Sequence, residues 1–213
     1  MTQSTTGLIL RTRPLTETSL VVNWLTPDCG RLSTVAKGAR RPKSPFRGKL
    51  DLFYLADFSF QRSRRSDLHQ LREVCLRETH RTLRQDMACL QQAAYCAALL
   101  EQITETDTPL PALFELMTNL LEQLAQPPPQ PRTIFAFELK LLKELGQSPD
   151  PAESKLTPGT RRILSELTKK DWPALARLKL SEPQICELKQ FLHGFLIYHL
   201  GKIPGGRSAV TGA

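Results

Sequence analysis

Apolar positions alternate with polar ones along the first third of the chain and recur at three and four thereafter. The pattern predicts strands followed by helices. Gly7 to Thr12 is a short β-compatible run, and Thr18 to Thr26 is rich in β-branched and aromatic residues. Pro27-Asp28-Cys29-Gly30 is a turn, because proline presets φ and glycine accepts a positive one. Arg31 to Lys37 then completes a hairpin. Gly38 to Gly48, punctuated by Pro42 and Pro45, reads as an exposed loop. Lys49 to Gln61 reads as the longest strand, with Leu50, Leu52, Tyr54, Ala56, Phe58 and Phe60 on its apolar face. Arg62 to Asp67 is a polar turn. Leu68 to Leu76 reads as a fifth strand, with helix as the alternative. Five strands over this length fit a small closed barrel of the OB type, which removes open edges.

Beyond residue 77 the period changes to that of helices. Arg81 to Thr104 has no proline or glycine and is rich in Ala, Leu and Gln. Pro109 to Ala125 repeats Leu113, Leu116, Leu120 and Leu124 at helical spacing. Gln126 to Pro131, with four prolines, is a stiff connector. Thr133 to Leu145 carries two neighbouring apolar stripes, one of Phe135, Leu139 and Leu142 and one of Ile134, Phe137, Leu141 and Leu145. A fourth helix opens at Thr157-Pro158, with the hydroxyl as N-cap and the proline at N1, and runs to Lys169. A fifth runs from Ser181 to Leu200 and is apolar on most sides, which predicts a central core helix. The expected fold class is α+β in two domains: an N-terminal five-stranded OB-fold barrel over 1–80, and an all-α domain over 81–213.

Composition adds a charge asymmetry. The chain has 213 residues, 29 Lys/Arg against 21 Asp/Glu, and a net charge of +8. Residues 1–80 hold 14 basic and 7 acidic residues, and the remainder 15 and 14. Arg31, Lys37, Arg40, Arg41, Lys43, Arg47 and Lys49 fall in one stretch without an acid, and Arg62, Arg64 and Arg65 follow at the next turn. A concentrated positive field favours a polyanion, although a solvated basic loop without a ligand is the plain alternative. Apolar residues make up 40% of the chain, enough to bury a core. No apolar run reaches the ~20 residues of a membrane span. The N-terminus lacks the pattern of a secretory signal, so the cytosol is the expected compartment.

The residues offer little for catalysis. The four histidines, at 69, 80, 193 and 199, form no metal motif, and no nucleophile elbow is present. Gly38 to Ser44 lacks the Gly-Lys-Ser/Thr of a phosphate loop, and Pro42 removes an amide that an anion would need. The five cysteines, at 29, 75, 89, 96 and 186, contain no Cys-x-x-Cys pair and read as free thiols. No enzyme, cofactor or metal is expected. Nucleic-acid binding is better supported, since Lys and Arg neutralise phosphates and aromatic rings stack on unpaired bases. Trp24, Phe53 and Tyr54 read more readily as barrel core. Phe46, inside the charged loop, is a candidate for stacking.

Several segments resemble the RecO family of bacterial recombination mediators. They are Val35 to Phe53, which contains the basic loop; Gly7 to Leu20; the hairpin Thr26 to Ser33; Phe137 to Gly146 followed by Pro149-Asp150; and Phe191 to Lys202 followed by Arg207-Ser208. The resemblance implies an OB-fold before a helical domain. It implies binding of single- and double-stranded DNA, annealing of complementary strands, and help in loading RecA onto strands coated with single-strand-binding protein (SSB). RecR and the acidic SSB tail are the implied partners, and a bacterial cytoplasm with nucleoid association is the implied location. Many relatives carry four zinc-binding cysteines after the Leu-Gly segment; here Asp150 to Pro158 stands in their place, so zinc is not expected. The DNA candidates carried over are Lys37, Arg40, Arg41, Lys43, Arg47 and Lys49. An apolar, acidic SSB tail would want an apolar pocket with a cationic rim, for which Lys140, Lys143, Lys202 and Arg207 are candidates. Two other readings stay open: an RNA-binding OB protein, and a non-catalytic adaptor acting through the helical domain. Phosphate contact does not separate DNA from RNA.

Overall fold

In the computed structural model, which describes residues 2–126, 128–152 and 154–212, the N-terminal strands close into a barrel. They are β1 (Thr2–Pro14), β2 (Leu20–Thr26), β3 (Gly30–Ala36), β4 (Leu55–Gln61) and β5 (Leu68–Glu78). Their order around the barrel is β1-β2-β3-β5-β4. β1 is the longest strand because it serves two neighbours. Thr2 to Leu8 pair with β4, and Leu8 to Pro14 pair with β2. A register shift between Ile9 and Arg11 marks the corner, as bulges do in small barrels. The polar start Thr2-Gln-Ser-Thr-Thr hides this strand from an apolar pattern. Closure between β3 and β5 is parallel and short, from Ser33↔Leu68 to Val35↔Gln70. The fifth strand is thus a strand and not the helical alternative.

The expected long strand over Lys49 to Gln61 is shorter. It begins at Leu55, because Phe53 takes φ +61° and turns the chain. Phe53 N–H donates to the Ile9 carbonyl at 2.8 Å, and its own carbonyl lies 2.7 Å from His80 Nδ1. These bonds hold the Phe53 ring in the interior, at 1% exposure. The alternation is correct where the strand exists: Ala56, Phe58 and Phe60 are buried, and their neighbours face outward. The Trp24 indole stacks on Phe58, with centroids 4.0 Å apart, and donates Nε1–H to Thr34 Oγ1 at 2.8 Å. A buried indole N–H is thereby satisfied. Gly7 makes room for this stack, since a Cβ there would sit 2.7 Å from the Phe58 ring.

The barrel belongs to a compact unit that extends to Arg81 and also takes in Thr104–Glu115. This second segment lies as a strap along the β2–β3 hairpin. Asp107 N–H donates to the Arg31 carbonyl at 3.1 Å, and Leu110 N–H donates to the Pro27 carbonyl at 3.1 Å. Gly30 at the hairpin has φ +64°, and a Cβ there would fall 1.8 Å from the Thr108 carbonyl oxygen. Only glycine fits both the turn and the strap.

The other unit, Thr82–Ile103 with the chain from Leu116 onward, is helical. After a 3₁₀ turn at Arg81–Gln85, the helices are α1 (Met87–Ile103), α2 (Pro111–Leu124), α3 (Pro131–Glu144), α4 (Pro158–Lys169), α5 (Trp172–Ala176), α6 (Glu182–Leu200) and α7 (Arg207–Val210). The first residues of α2 fall in the barrel unit. The short helices α5 and α7 have too few residues to show a period. Within the connector and the segment after Asp150, Pro127 and Glu153 lie outside the described residues.

The central helix is α3, not α6. Ile134, Phe135, Ala136, Phe137, Glu138, Leu139, Leu141 and Leu142 of α3 are all buried. α6 buries only Leu188, Leu192 and Leu196, one stripe at a spacing of four. Its remaining apolar residues include Ile197 at 41% and Tyr198 at 85% exposure. Thr157 precedes α4 as expected, but its hydroxyl bonds the Thr160 and Glu187 side chains at 2.9 Å and caps no backbone amide. Gln184 Oε1 accepts from Ser181 N–H at 2.9 Å at the start of α6, the side-chain half of a capping box.

Candidate nucleic-acid interface

The basic loop between β3 and β4 is a string of tight turns. Arg41 N–H bonds the Gly38 carbonyl, Ser44 N–H that of Arg41, Arg47 N–H that of Ser44, and Lys49 N–H that of Phe46, at 3.0–3.2 Å. Arg40 N–H reaches back to the Thr18 carbonyl at 3.0 Å. Phe46 is the anchor. It packs into the barrel core with Leu20, Ala39 and Leu50 and is 7% exposed. The expectation of Phe46 as an exposed stacking ring within the loop is therefore corrected: the ring is largely buried and lines the edge of a groove. Proline and charge on both sides mark it as exposed in sequence, but the turns fold its ring inward.

With the ring inside, the charges lie outside. Lys37, Arg40, Arg41, Lys43 and Arg47 are exposed, and Lys49 is half-buried. Among the described residues none of the five exposed cations pairs with a carboxylate. Arg40 and Arg47 donate only to the carbonyls of Thr16 and Pro42, at 3.2 and 3.3 Å. Lys49 Nζ donates to the Val74 carbonyl at 3.2 Å. A carbonyl acceptor orients the side chain and leaves the charge unneutralised. The loop thus presents cations on a fixed backbone, ready to exchange counterions for phosphates.

The other predicted cations differ. Arg31 is half-buried and its guanidinium clasps the Thr104 carbonyl, with Nε at 3.1 Å. It ties the strap to the barrel. Arg62 pairs with Asp107 at 2.6 Å and also bonds Gln3. Arg64 and Arg65 are exposed in the β4–β5 turn. Arg72, which the sequence reading did not single out, lines a groove of about 570 Å³ together with Ser4, Pro45, Lys49 and Ser59. Strand alternation could have found it, since Leu71 and Val74 point inward and Arg72 does not.

The four cations proposed for a partner tail do not share a pocket. Arg207 is 5% exposed. Its guanidinium grips both oxygens of the buried Glu138, at 2.7 and 2.8 Å, and donates to the Lys189 carbonyl at 3.0 Å. Tyr95 OH donates to Glu138 Oε1 at 2.6 Å. Arg207 therefore closes the helical core around its own C-terminal turn and offers no free charge, which corrects its place on a cationic rim. Lys140 is half-buried, donates to the Lys170 carbonyl at 2.7 Å and lies 5.8 Å from the Trp172 ring; burial pulls its pKa down. Lys143 and Lys202 are exposed. A groove of about 840 Å³ in this unit is lined by Pro131, Ile185, Lys189 and His193, with Arg207 in its wall.

Reactive groups are muted. Burial raises the pKa of Cys29, Cys89 and Cys96, which keeps them thiols at neutral pH. Burial lowers that of His69. Among the described residues, no three His, Cys, Asp or Glu side chains are grouped to hold a metal, and no helix is long and apolar enough to cross a membrane.

Comparison with known proteins agrees with this architecture. Residues 1–80 match the family model described as Recombination protein O N terminal, and residues 84–152 match Recombination protein O C terminal. Together these cover well over half of the chain. The chain belongs to the RecO family. It is similar to the DNA repair protein RecO of Anaeromyxobacter sp. strain K, at 29% identity over 92% of this chain and 91% of the relative. The match to DNA repair protein RecO of Bacillus subtilis is 26% identical and covers 87% and 85%. That of Rhodopirellula baltica is 34% identical over 67% of this chain but only 53% of the relative.

Proposed function

We propose that this chain is a DNA repair protein that binds single- and double-stranded DNA through its barrel unit, without catalysing a reaction. The observation that carries the reading is the loop of Lys37, Arg40, Arg41, Lys43 and Arg47, exposed and without carboxylate partners on a turn-locked backbone. Phosphate neutralisation by such a loop is independent of sequence, which suits a protein that must act wherever DNA is damaged. Two strands held on one cationic surface also repel each other less, so annealing follows from the same charge. The names carried by the relatives support the repair role.

On this reading the chain acts in the bacterial cytoplasm at the nucleoid. It anneals complementary strands and, with RecR, helps RecA replace SSB. The SSB tail remains a proposed partner of the helical unit. Support there comes from the groove beside α6, where Ile185 supplies apolar wall and His193 a polar edge, and no longer from four converging cations.

Annealing of two complementary fluorescent strands, naked and coated with the cognate SSB, tests the proposal. Acceleration on both substrates, lost in Arg40→Ala/Arg41→Ala/Lys43→Ala, is the expected result. Acceleration of naked strands alone removes the SSB link. Absence of acceleration together with tight RNA binding replaces the proposal with an RNA-binding one.

A further inference from the structure

A small cavity of about 290 Å³ opens on the barrel where β3 meets the end of β4 and the start of β5. Ligand pockets begin at about this size, so it suits one compact group. Lys37 and Arg62 line it, together with Gln61, Ser63, His69 and Gln70. Cations thus border a lining of neutral hydrogen-bonding groups. Val35 and Leu68 add apolar wall.

Several polar groups of the lining are open to a ligand. His69 is 3% exposed and stacked on Phe60, with centroids 5.5 Å apart. Its Nδ1 accepts from Ser63 N–H at 3.3 Å, so the ring proton sits on Nε2. Among the described residues that N–H finds no protein acceptor, and the ring lines the cavity. Burial also holds the ring neutral. The Gln61 carbonyl oxygen is taken by Arg72, which leaves its amide N–H groups as donors. The Gln70 amide has no protein partner among the described residues and offers both a donor and an acceptor.

We infer that this cavity is a subsite for a single unstacked nucleobase, read on its hydrogen-bonding edge by His69 Nε2, Gln61 and Gln70 while Lys37, which has no carboxylate partner among the described residues, holds a flanking phosphate. The lining has more donors than acceptors, so it takes bases with keto oxygens, such as thymine, in preference to adenine. The inference rests on the nucleic-acid reading and deepens it. The loop cations hold the backbone of any sequence, whereas this cavity requires a base that is out of its stack. It therefore favours single strands over duplex.

Fluorescence anisotropy of the full-length chain with a short oligothymidylate, and with an abasic strand of the same phosphate number, tests it. The wild type should prefer the oligothymidylate. Gln61→Ala/Gln70→Ala should weaken that complex roughly tenfold, leave the abasic complex unchanged, and leave the salt slope unchanged. Gln70→Glu, an isosteric variant, should lose the same preference, and unchanged thermal melting confirms that both variants fold. Equal wild-type affinity for the two strands, or variants that keep the preference, would overturn the subsite while leaving phosphate binding intact. Absence of salt-sensitive binding by the wild type to either strand would overturn the underlying nucleic-acid reading as well.

Discussion

The loop after β3 and the turn at α7 both carry arginine, and they use it in opposite ways. In the barrel unit the side chain turned inward is Phe46, and Arg40, Arg41 and Arg47 stay in water. In the helical unit the side chain turned inward is Arg207, gripped through Nε and Nη2 by Glu138. An exposed cation without a carboxylate partner contributes little to stability and is free for a ligand. A buried bidentate pair does the reverse: removing either member leaves an uncompensated charge in the core. Position in the fold, not residue type, decides which arginine is left open to a ligand.

The sharpest way to break this contrast is to remove Glu138. Glu138→Ala should destabilise the helical unit by about 3–5 kcal/mol, because Arg207 and the Tyr95 hydroxyl lose their partner together. Denaturant unfolding would measure it. Replacing both members of the pair with apolar residues of similar volume should cost far less. An equal loss in the double replacement would show that packing, rather than charge pairing, holds α7.

A second test falls on the barrel unit. Gly30→Ala imposes a left-handed conformation on alanine, worth about 1–2 kcal/mol, and drives a Cβ into the Thr108 carbonyl. Hydrogen exchange should rise first at Asp107 and Leu110, whose amides tie the strap to the hairpin. Neither amide responding would mean that the strap does not depend on the glycine.

The smallest effect is expected from pH. Asp57 is held below the usual carboxylate range, first by the Thr6 hydroxyl at 2.6 Å and then by Arg77. A carboxyl with a lowered folded pKa adds stability above its unfolded value, and that part is lost as pH falls through the folded one. The pair is well exposed, so the contribution is small. Asp57→Asn should flatten a slight loss of melting temperature below about pH 4 and change nothing at neutral pH.

Much of the barrel is legible from alternation, because period two and a closed sheet both demand one buried face. Ala56, Phe58 and Phe60 follow it directly. Alternation fails at Phe53, since a positive φ turns the chain without interrupting the apolar pattern. It fails at the start of β1, where Thr2 to Thr6 are polar and exposed or half-buried although they pair along β4. In the helical unit, the extent of apolar surface names α6 as central, yet α3 buries more because it sits among α4, α5 and α6. In the basic loop, the run of cations without an acid marks an exposed, charged surface, as the structure has it. What local sequence could not carry is long-range: the return of Thr104–Glu115 to Arg31, the inward turn of Phe46, and the meeting of Arg207 with Glu138, 69 residues away.

The central claim is that the loop cations form the DNA face. Its most direct test is the salt dependence of single-strand affinity for the wild type and for Arg40→Ala/Arg41→Ala/Lys43→Ala. Each phosphate contact contributes about 0.7 to the slope of log affinity against log salt, so the triple variant should lose about two units of slope and bind more weakly at every salt concentration, with unchanged melting. An unchanged slope and affinity in a folded triple variant would place the DNA face elsewhere on the molecule.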